Sequence, residues 1–498
     1  MLDFQIFRVK YSYLNLNFMY SHKLIQIIKT LNRKEMTRFR EFVNASYFNK
    51  REDIQALATC LSDLFPHFDH QNCDRKELFS YVYPRDEPDQ AKLALLFTYT
   101  FRLSQTFLAL EQCRQEEHEQ AIFLLQALRA KKQYPLYEKM LETTEIQLNT
   151  TQRKDDAHYY NKYHLAAEAD TYFNQIGRRQ VDHSIEQKQA YLDQFFLLQK
   201  LKDACEIQVR RRIFNVDYSI QMLDAALAEV RANAATCEPL IYLYYQIYQM
   251  VTLPEHTYYF SALETLQTHQ KNIATSELNY IYNYFQNYCI QQINKGEERF
   301  LSEIFKLYQA QLEQGLLLQE GYLSEWHYKN MVTTGIRLHE MTWVQDFIEQ
   351  YREKLPPESQ ENAYRFNLAS YYYALQQYDK VLELLVKVEY SDLRYSVGAK
   401  ALLLRTYYDL KEYDALLSLV QSFTLYLRRN KLMADFQRDG HYDLFKFTRR
   451  AAQIRSNLDF IPIAKSRREL EKLQQDIAHA KTIFNKSWLL EKMQELAV

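Results

Sequence analysis

The sequence predicts an all-α fold built as an array of helical hairpins. Only seven of the 498 residues are Gly and nine are Pro, about 3% together where average usage is about 12%. The chain therefore has few of the residues that the tight turns of strand-rich folds need. From about residue 21 onward, apolar residues recur every three or four positions, the period of a helix buried along one face. The chain is also far longer than one compact domain needs. These observations favour a quasi-one-dimensional stack of small helical units.

The first 20 residues differ from the rest of the chain. Apolar residues there alternate with a period of two, as in Val9, Tyr11 and Tyr13, and no continuous apolar segment of a signal peptide occurs. We interpret residues 1–20 as a non-native or disordered extension, and we expect synthesis to start at Met19.

Residues 21–152 are predicted to form an N-terminal helical domain. Asn32 with Glu35, and Asp74 with Glu77, have the spacing of residues that tie the first turn of a helix. A nearly continuous apolar stripe predicts one long helix that packs along its whole length. The stripe consists of Leu93, Leu96, Thr100, Leu103, Phe107 and Leu110.

Residues 153–327 are predicted to form irregular helical hairpins, with helices of roughly 15 to 25 residues joined by short connections. Their most apolar stretch, Pro239 to Leu253, is too short to span a bilayer and is interrupted by Gln246 and Gln249. We therefore expect a buried helix there and no membrane segment.

Residues 328–424 contain an internal repeat. A shift of 35 residues superposes NLASYYYALQQYDKVLELLV on LLLRTYYDLKEYDALLSLVQ, with matching tyrosines, leucines and a Tyr-Asp pair. The same shift places Trp343 over Tyr378 and Leu338 over Tyr373 in a third, less similar unit. A fixed period of about 34 residues is typical of helical-hairpin repeats, in which each unit buries its apolar face against the next.

With an aromatic residue in the middle of the first helix and another at the turn, residues 328–423 resemble the tetratricopeptide repeat. The resemblance implies a right-handed α-solenoid of antiparallel hairpins, in which Tyr372 and Tyr378 pack between the helices of one unit and Tyr371 faces a neighbouring unit. The segments FREFVNASYFNK and NYCIQQIN and the end NKSWLLEKMQEL also look like a family of uncharacterised helical proteins from Bacteroidota. That second resemblance implies architecture and no reaction. Residues 425–498 are expected to form C-terminal capping helices.

The tetratricopeptide resemblance also implies where a partner binds, because such arrays line their concave face with the first helix of each unit. The groove positions carried over to this chain are Tyr328, Met331, Gly335, Leu338, Phe366, Ser370, Tyr373, Ala401, Arg405 and Tyr408. An aromatic groove with one cation, Arg405, suits an apolar or amphipathic helix that carries an acid. The alternative is that a following helix covers Tyr373 and Tyr408.

Motifs of common enzyme and metal sites are absent from the sequence. The glycines are too scattered for a nucleotide-binding loop, and neither GxSxG nor HExxH occurs. The strongest metal candidate is the loop PHFDHQNCD, whose His67, Asp69, His70 and Cys73 are plausible zinc donors. Because polar residues between helices also cap and solvate, and Asp74 is a predicted N-cap, we expect neither a metal nor a cofactor.

Charge and cysteine content indicate which classes of partner and which cellular compartment to expect for the protein. The net charge is −1, so no global field attracts nucleic acid or membranes. Six scattered cysteines without a CxxC pair indicate a reducing, cytoplasmic compartment. Residues 426–472 hold twelve Lys and Arg against six Asp and Glu, interleaved with aromatics, which are the ingredients of a single-strand nucleic-acid platform. The alternative is the solvated outer face of capping helices.

We therefore expect a non-catalytic, cytoplasmic scaffold that binds a protein or peptide partner in its groove. Two other hypotheses stay open. One is a nucleic-acid-binding or regulatory protein that uses the basic C-terminal region. The other is an enzyme or metal protein with a dispersed site, since fold alone excludes neither.

Overall fold

A computed structural model of the chain describes residues 19–69, 72–176, 183–214, 216–386, 388, 393–429, 435–457, 460, 462–480 and 482–497. Residues 1–18 of the expected extension and the candidate ligand His70 lie outside these described residues. The chain divides into two compact units. The N-terminal unit comprises residues 1–151 and 156–196, and the C-terminal unit comprises residues 152–155 and 197–498.

The expected all-α fold is confirmed, since the described residues are helical apart from one two-stranded hairpin and the connections. Neighbouring helices pack largely in pairs, which is compatible with a helical repeat fold. The N-terminal unit contains α1 (Lys23–Thr30), α2 (Arg33–Asn44), α3 (Glu52–Leu64), α4 (Arg75–Val82), α5 (Gln90–Gln115), α6 (Glu117–Ala130), α7 (Tyr134–Thr150), α8 (Asp156–Ile176) and the first part of α9 (Ser184–Phe214).

Local sequence explains two helix starts of the N-terminal unit. Asn32 and Glu35 form the expected capping box: Asn32 Oδ1 accepts from the Glu35 backbone N–H at 2.9 Å, and the Glu35 carboxylate accepts from the Asn32 N–H at 2.7 Å. The Asp74 carboxylate likewise accepts from the backbone N–H groups of Lys76 and Glu77. Both predicted caps are confirmed. Each satisfies N–H groups that a first helical turn leaves unpaired.

Helix α5 is the helix predicted from the apolar stripe, with one correction. Its buried residues are Leu93, Leu96, Phe97, Thr100, Ser104 and Phe107. Leu110, the last member of the predicted stripe, is 38% exposed, so α5 does not pack along its whole length. Among the described helices, α5 alone is long and apolar enough to cross a membrane by length and composition. Its apolar buried side chains belong to the core of the N-terminal unit, and 33% of its apolar 18-residue stretch is buried.

The C-terminal unit contains the rest of α9 and fourteen further described helices. They are α10 (Leu223–Ala232), α11 (Pro239–Thr252), α12 (Thr257–His269), α13 (Thr275–Asn294), α14 (Arg299–Glu313), α15 (Glu325–Arg337), α16 (Met341–Gln350), α17 (Gln360–Ala374), α18 (Tyr378–Val386), α19 (Leu393–Asp409), α20 (Tyr413–Arg429), α21 (Asp435–Asn457), α22 (Ile463–His479) and α23 (Lys486–Ala497). Short 3₁₀ helices span Gln270–Asn272 and Arg352–Lys354, and strands β1 (Leu318–Gln319) and β2 (Tyr322–Leu323) pair antiparallel. Helix α11 is largely buried, as expected for its apolar sequence.

Three successive helix pairs of the C-terminal unit, α15–α16, α17–α18 and α19–α20, close with the same turn. In each turn one residue has a left-handed backbone; these are His339 (φ 62°), Gln376 (φ 58°) and Lys411 (φ 61°). The next residue donates its backbone N–H to the carbonyl five positions back, as Gln377 does to Tyr372. This is the hydrogen-bond pattern of a Schellman motif, which is usually built with glycine.

The turns correct the repeat register of the first pair. Gln376 and Lys411 are 35 residues apart, as the sequence repeat predicts, but His339 and Gln376 are 37 apart. Ile336, and not Leu338, therefore occupies the position of Tyr373. The shift of 35 is wrong for the first pair because the connection between α16 and α17 is longer and contains the 3₁₀ helix Arg352–Lys354.

The tyrosines of α17 also differ in part from the expectation. Tyr371 is buried and hydrogen-bonded to α16, so it faces the neighbouring pair as predicted. Tyr372 and Tyr378, predicted to be buried within one pair, are partly exposed. The position of Tyr372 is held in the first pair by Gly335, where a Cβ would lie 2.5 Å from the side chain of Val344. We infer that a tyrosine at such a close helix crossing must turn partly outward.

Candidate functional site

The first helices of the three pairs, α15, α17 and α19, pack side by side. We align the three helices through their turn residues His339, Gln376 and Lys411, which are 37 and 35 residues apart. Residues at equivalent positions of the three helices then form three rows. The rows are Lys329–Phe366–Ala401, Thr333–Ser370–Arg405 and Ile336–Tyr373–Tyr408, and we call the surface they form the inner face. Packing along the first row is close: Lys329 Nζ lies 5.7 Å from the centroid of the Phe366 ring. A Cβ on Gly398 of α19 would lie 3.0 Å from the same ring.

A hydrogen-bonded cluster joins α17 to α19 on the inner face. Tyr373 Oη donates to Asp409 Oδ2 at 2.5 Å, and the guanidinium carbon of Arg405 lies 4.2 Å from the centroid of the Tyr373 ring. Burial raises the pKa of Tyr373 well above its ordinary value, so the hydroxyl remains a donor at neutral pH. The cluster therefore presents one guanidinium and one carboxylate close together beside an aromatic ring.

The α19 edge of the inner face is covered by the chain's own C-terminal segment. Three side chains of this segment contact α19: one belongs to the residue directly before α23, and two lie four residues apart on one side of the helix. The contacts are Asn485 Oδ1 accepting from Arg405 Nη1 at 3.3 Å, Trp488 edge-on against Tyr408 with ring centroids 5.6 Å apart, and Lys492 Nζ at 3.1 Å from Asp409 Oδ1. Over the described residues, helix α23 thus contacts the inner face only through α19, while its main packing is against α21 and α22.

Helix α23 is amphipathic, and its apolar side faces the core of the C-terminal unit. Trp488 is 8% exposed, Leu489 is fully buried, and both belong with Tyr408 to one hydrophobic cluster. On the opposite side, Ser487 and Glu491 are exposed. This division between a buried apolar side and a solvated polar side is what a surface helix needs in order to pack stably.

Two buried N–H donors at the contact between α23 and the inner face have no hydrogen-bond acceptor among the described residues. Within the described part of the chain, Arg405 Nε and Trp488 Nε1 are buried and have no hydrogen-bond partner. Arg405 donates to the neutral amide of Asn485, and no described carboxylate lies within ion-pair distance of its guanidinium. Because a buried donor without an acceptor costs about 1–3 kcal/mol, this arrangement is less favourable than the same contact with an added acceptor.

A second cation lies on the inner face, in the row of Phe366. Burial lowers the pKa of Lys329, and none of the described carboxylates pairs with it. His441 of α21 stacks on Phe484, with ring centroids 4.3 Å apart, and its Nδ1 is buried without a partner among the described residues. Burial lowers the pKa of His441 to about 4, and the charge of Lys329 adds to this shift. Lys329 and His441 are therefore close to each other, beside the residues that lead into α23.

Six of the seven principal groove residues expected from the sequence fall at equivalent positions in the three rows that define the inner face, and their role as a groove stays a prediction. They are Phe366, Ser370, Tyr373, Ala401, Arg405 and Tyr408. Leu338 instead ends α15 in the turn, and Tyr328 is buried with its hydroxyl donating to the Ile348 carbonyl at 2.8 Å. The face is not an open groove: the alternative of a covering helix holds for Tyr408, which is fully buried against Trp488.

The residues of the site that are missing from the set chosen by sequence are Lys329, Thr333, Ile336, Asp409, Asn485, Trp488 and Lys492. The 37-residue spacing finds Lys329, but this spacing is visible only once the turns are known. The contacts of α23 join residues about 80 positions apart, and no local pattern marks such a pairing. The apolar spacing of Trp488, Leu489 and Met493 predicts an amphipathic helix without naming the surface that it covers.

The described donor side chains of the candidate metal loop differ in their exposure to solvent. His67 and Asp69 are exposed, whereas Cys73 is fully buried in the core of the N-terminal unit. Burial raises the pKa of the Cys73 thiol to about 11. Asp69 and Asn72 accept hydrogen bonds from each other's backbone N–H at 2.7 and 2.9 Å, a turn-stabilising arrangement. Over the described ranges, no group of three or more His, Cys, Asp or Glu side chains could hold a metal ion.

The basic C-terminal region divides its described aromatic residues between the core and the surface. Phe445 and Phe447 are buried in the core of the C-terminal unit, whereas Tyr442 is 38% exposed and Phe460 is 85% exposed. The side chain of Phe436 lies outside the described residues. Arg450 forms an ion pair with α22. Single-strand nucleic-acid platforms stack bases on exposed rings, and this region has both buried and exposed rings, so the platform and the solvated face both stay open.

No protein-family model matches the chain, and neither a curated protein nor a solved structure is significantly similar to it.

Proposed function

We propose that this protein is a non-catalytic interaction scaffold that binds a helix or peptide of a partner protein on the inner face. In this proposal the three helix pairs belong to a right-handed, tetratricopeptide-like solenoid, the whole chain has the architecture of the uncharacterised Bacteroidota family it resembles, and the protein works in the cytoplasm. The composition of the face supports binding rather than chemistry: it consists mainly of apolar and aromatic side chains, with a cation at Lys329 and another at Arg405.

One observation carries the proposal: an amphipathic helix, α23, contacts this face at α19. Its contacts come from Trp488 and Lys492, at positions i and i+4, and Asn485, directly before the helix, adds a third. This is the spacing with which a helix anchors itself in the groove of a partner. A surface that accepts such a helix from its own chain has the shape and chemistry to accept one from another protein.

The test uses the full-length protein with Trp488→Ala, which removes the main anchor of α23. A fluorescent peptide of residues 482–497 should bind this variant saturably in an anisotropy titration. Adding Tyr373→Ala and Arg405→Ala should weaken binding by about tenfold or more, since central aromatic and Arg residues dominate such interfaces. Glu412→Ala, in the exposed turn, is the matched control and should leave the affinity unchanged.

Circular dichroism must show that each variant keeps its helical content. If the helical Trp488→Ala protein fails to bind the peptide saturably, the inner face is not a helix-binding surface. Ionic strength then separates this function from the nucleic-acid hypothesis. Binding through buried apolar anchors should change little with salt, whereas affinity for a phosphate backbone falls steeply.

A further inference from the structure

We propose that the helix of the partner carries a carboxylate opposite Arg405, and that residues 482–497 are a resident competitor which this partner displaces. The inference rests on the proposed function of the inner face and adds the chemistry of the ligand. It also makes α23 a regulatory element as well as a cap on the core.

The charges around the start of α23 point to an acidic ligand. Arg405 and Lys329 are both on the inner face, and no described carboxylate forms an ion pair with either. The nearby carboxylate of Asp409 is bonded instead to Tyr373 and Lys492. The residues that the C-terminal segment places next to this region are Phe484 and Asn485, which are uncharged. A carboxylate in place of the Asn485 amide would form a charge-assisted hydrogen bond with Arg405, roughly twice as strong as a neutral one.

The incomplete hydrogen bonding of α23 supports the same conclusion. Arg405 Nε and Trp488 Nε1 are buried without acceptors among the described side chains and backbone groups, and this weakens the closed arrangement. A ligand that brings one more acceptor to this point binds the face more tightly than the free α23 sequence does. The backbone of Asn485 is left-handed, with φ 53°. Asp tolerates this conformation much as Asn does, so the carboxylate can take the same place.

Covalent attachment explains why a weaker ligand can still occupy the face. Residues 480–485 connect α23 to α22, so α23 is presented to the face at an effective concentration on the order of millimolar. A partner in solution must compete with this tethered helix. Its apparent affinity is therefore reduced in proportion to the small fraction of molecules in which the face is open.

The experiment compares three synthetic peptides of residues 482–497: the native sequence, Asn485→Asp, and Ser487→Asp. Ser487 is exposed on the outer side of α23, so the third peptide adds the same charge away from Arg405. Each peptide is titrated into the full-length wild-type protein and into the Trp488→Ala protein. The Lys492→Ala protein serves as a second opened variant, because it removes the contact with Asp409.

We expect the opened variants to bind the Asn485→Asp peptide about tenfold more tightly than the native or Ser487→Asp peptide. The wild-type protein should bind each of the three peptides at least about tenfold more weakly than the opened variants do. Adding Arg405→Gln to the opened proteins should abolish the preference for the Asn485→Asp peptide. Full-length protein with Asn485→Asp should bind every peptide more weakly than the wild type, because its own α23 is held more firmly.

The outcomes separate the two proposals. If the opened variants bind the three peptides equally, the face binds helices but the carboxylate inference is wrong. If the wild-type protein binds as tightly as the opened variants, α23 is not a competitor and the regulatory part is wrong. If no helical variant binds any peptide, the proposed function itself fails.

Discussion

Replacing Gly335 of α15 by alanine tests how closely the helices of the first pair cross. A Cβ at Gly335 would lie 2.5 Å from Cγ2 of Val344 in α16. Ordinary van der Waals contact begins at 3.4 Å, so the two helices would have to separate locally by roughly 1 Å in a densely packed interior. Val344 is fully buried and its branched side chain is stiff, which leaves little room for adjustment.

The expected cost follows from two opposing effects. Overpacking of a filled core costs about 1–3 kcal/mol, while the higher helix propensity of alanine returns up to about 1 kcal/mol. Gly335→Ala should therefore destabilise the C-terminal unit by about 1–2 kcal/mol. Val344→Ala should cost about 2 kcal/mol by leaving a cavity. In the double variant the new methyl group occupies part of that cavity, so the total should fall at least about 1 kcal/mol below the sum.

Denaturant unfolding monitored by tryptophan fluorescence measures these values. The three tryptophans, Trp326, Trp343 and Trp488, all lie in the C-terminal unit, and Trp343 stacks on Phe347 of the same helix, so the signal reports this unit. Gly321→Ala is the matched control: its left-handed backbone (φ 87°) disfavours alanine without any steric contact. Its cost should add to that of Val344→Ala. Strict additivity of Gly335→Ala with Val344→Ala would show that the two helices do not cross closely here.

Three further variants test other parts of the molecule. Glu277→Gln should cost about 1.5–3 kcal/mol in the same fluorescence assay, because it removes a buried carboxylate that accepts hydrogen bonds from Lys202 at 2.8 Å and from the Tyr244 hydroxyl; a cost below about 0.5 kcal/mol would contradict this. Since burial lowers the pKa of His441 to about 4, below its ordinary value of 6.5, protonation favours the unfolded state. The stability of the wild type relative to His441→Gln should then fall by up to about 3 kcal/mol between pH 6.5 and pH 4, and parallel pH profiles would refute this. Asn32→Ala should destabilise α2 by about 1 kcal/mol, measured as faster amide hydrogen exchange there; unchanged exchange would exclude a stabilising capping box.

The features that the sequence predicted correctly depend on short-range physics. The helical period, the caps at Asn32 and Asp74 and the buried α11 follow from residues within a few positions of one another, because backbone N–H groups and apolar stripes impose local spacing rules. The repeat at 35 residues was visible because the pairs α17–α18 and α19–α20 use the same tyrosines and the same turn. Their matching left-handed residues are Gln376 and Lys411.

The features that the sequence did not predict depend on length variation and on distant contacts. The first pair is out of register by two residues because its exit connection is longer, and its turn residue, His339, carries no turn signal of its own. The covering of the inner face by α23 joins Arg405 to Asn485 and Tyr408 to Trp488 across about 80 residues. Amphipathicity indicates that a helix must be buried on one side, but many apolar surfaces satisfy that requirement equally well.

Because the three hairpin turns contain no glycine at their left-handed positions, substitutions in the turns can raise the thermal stability of the protein without any change in its core. A non-glycine residue in the left-handed region costs roughly 1–2 kcal/mol, and His339, Gln376 and Lys411 all adopt this conformation. Single glycine substitutions there should relieve the strain without altering a buried side chain or the inner face, and several together could raise the melting temperature by many degrees. A relative of this protein adapted to heat could therefore differ from it first at its turns, while its binding surface stayed the same.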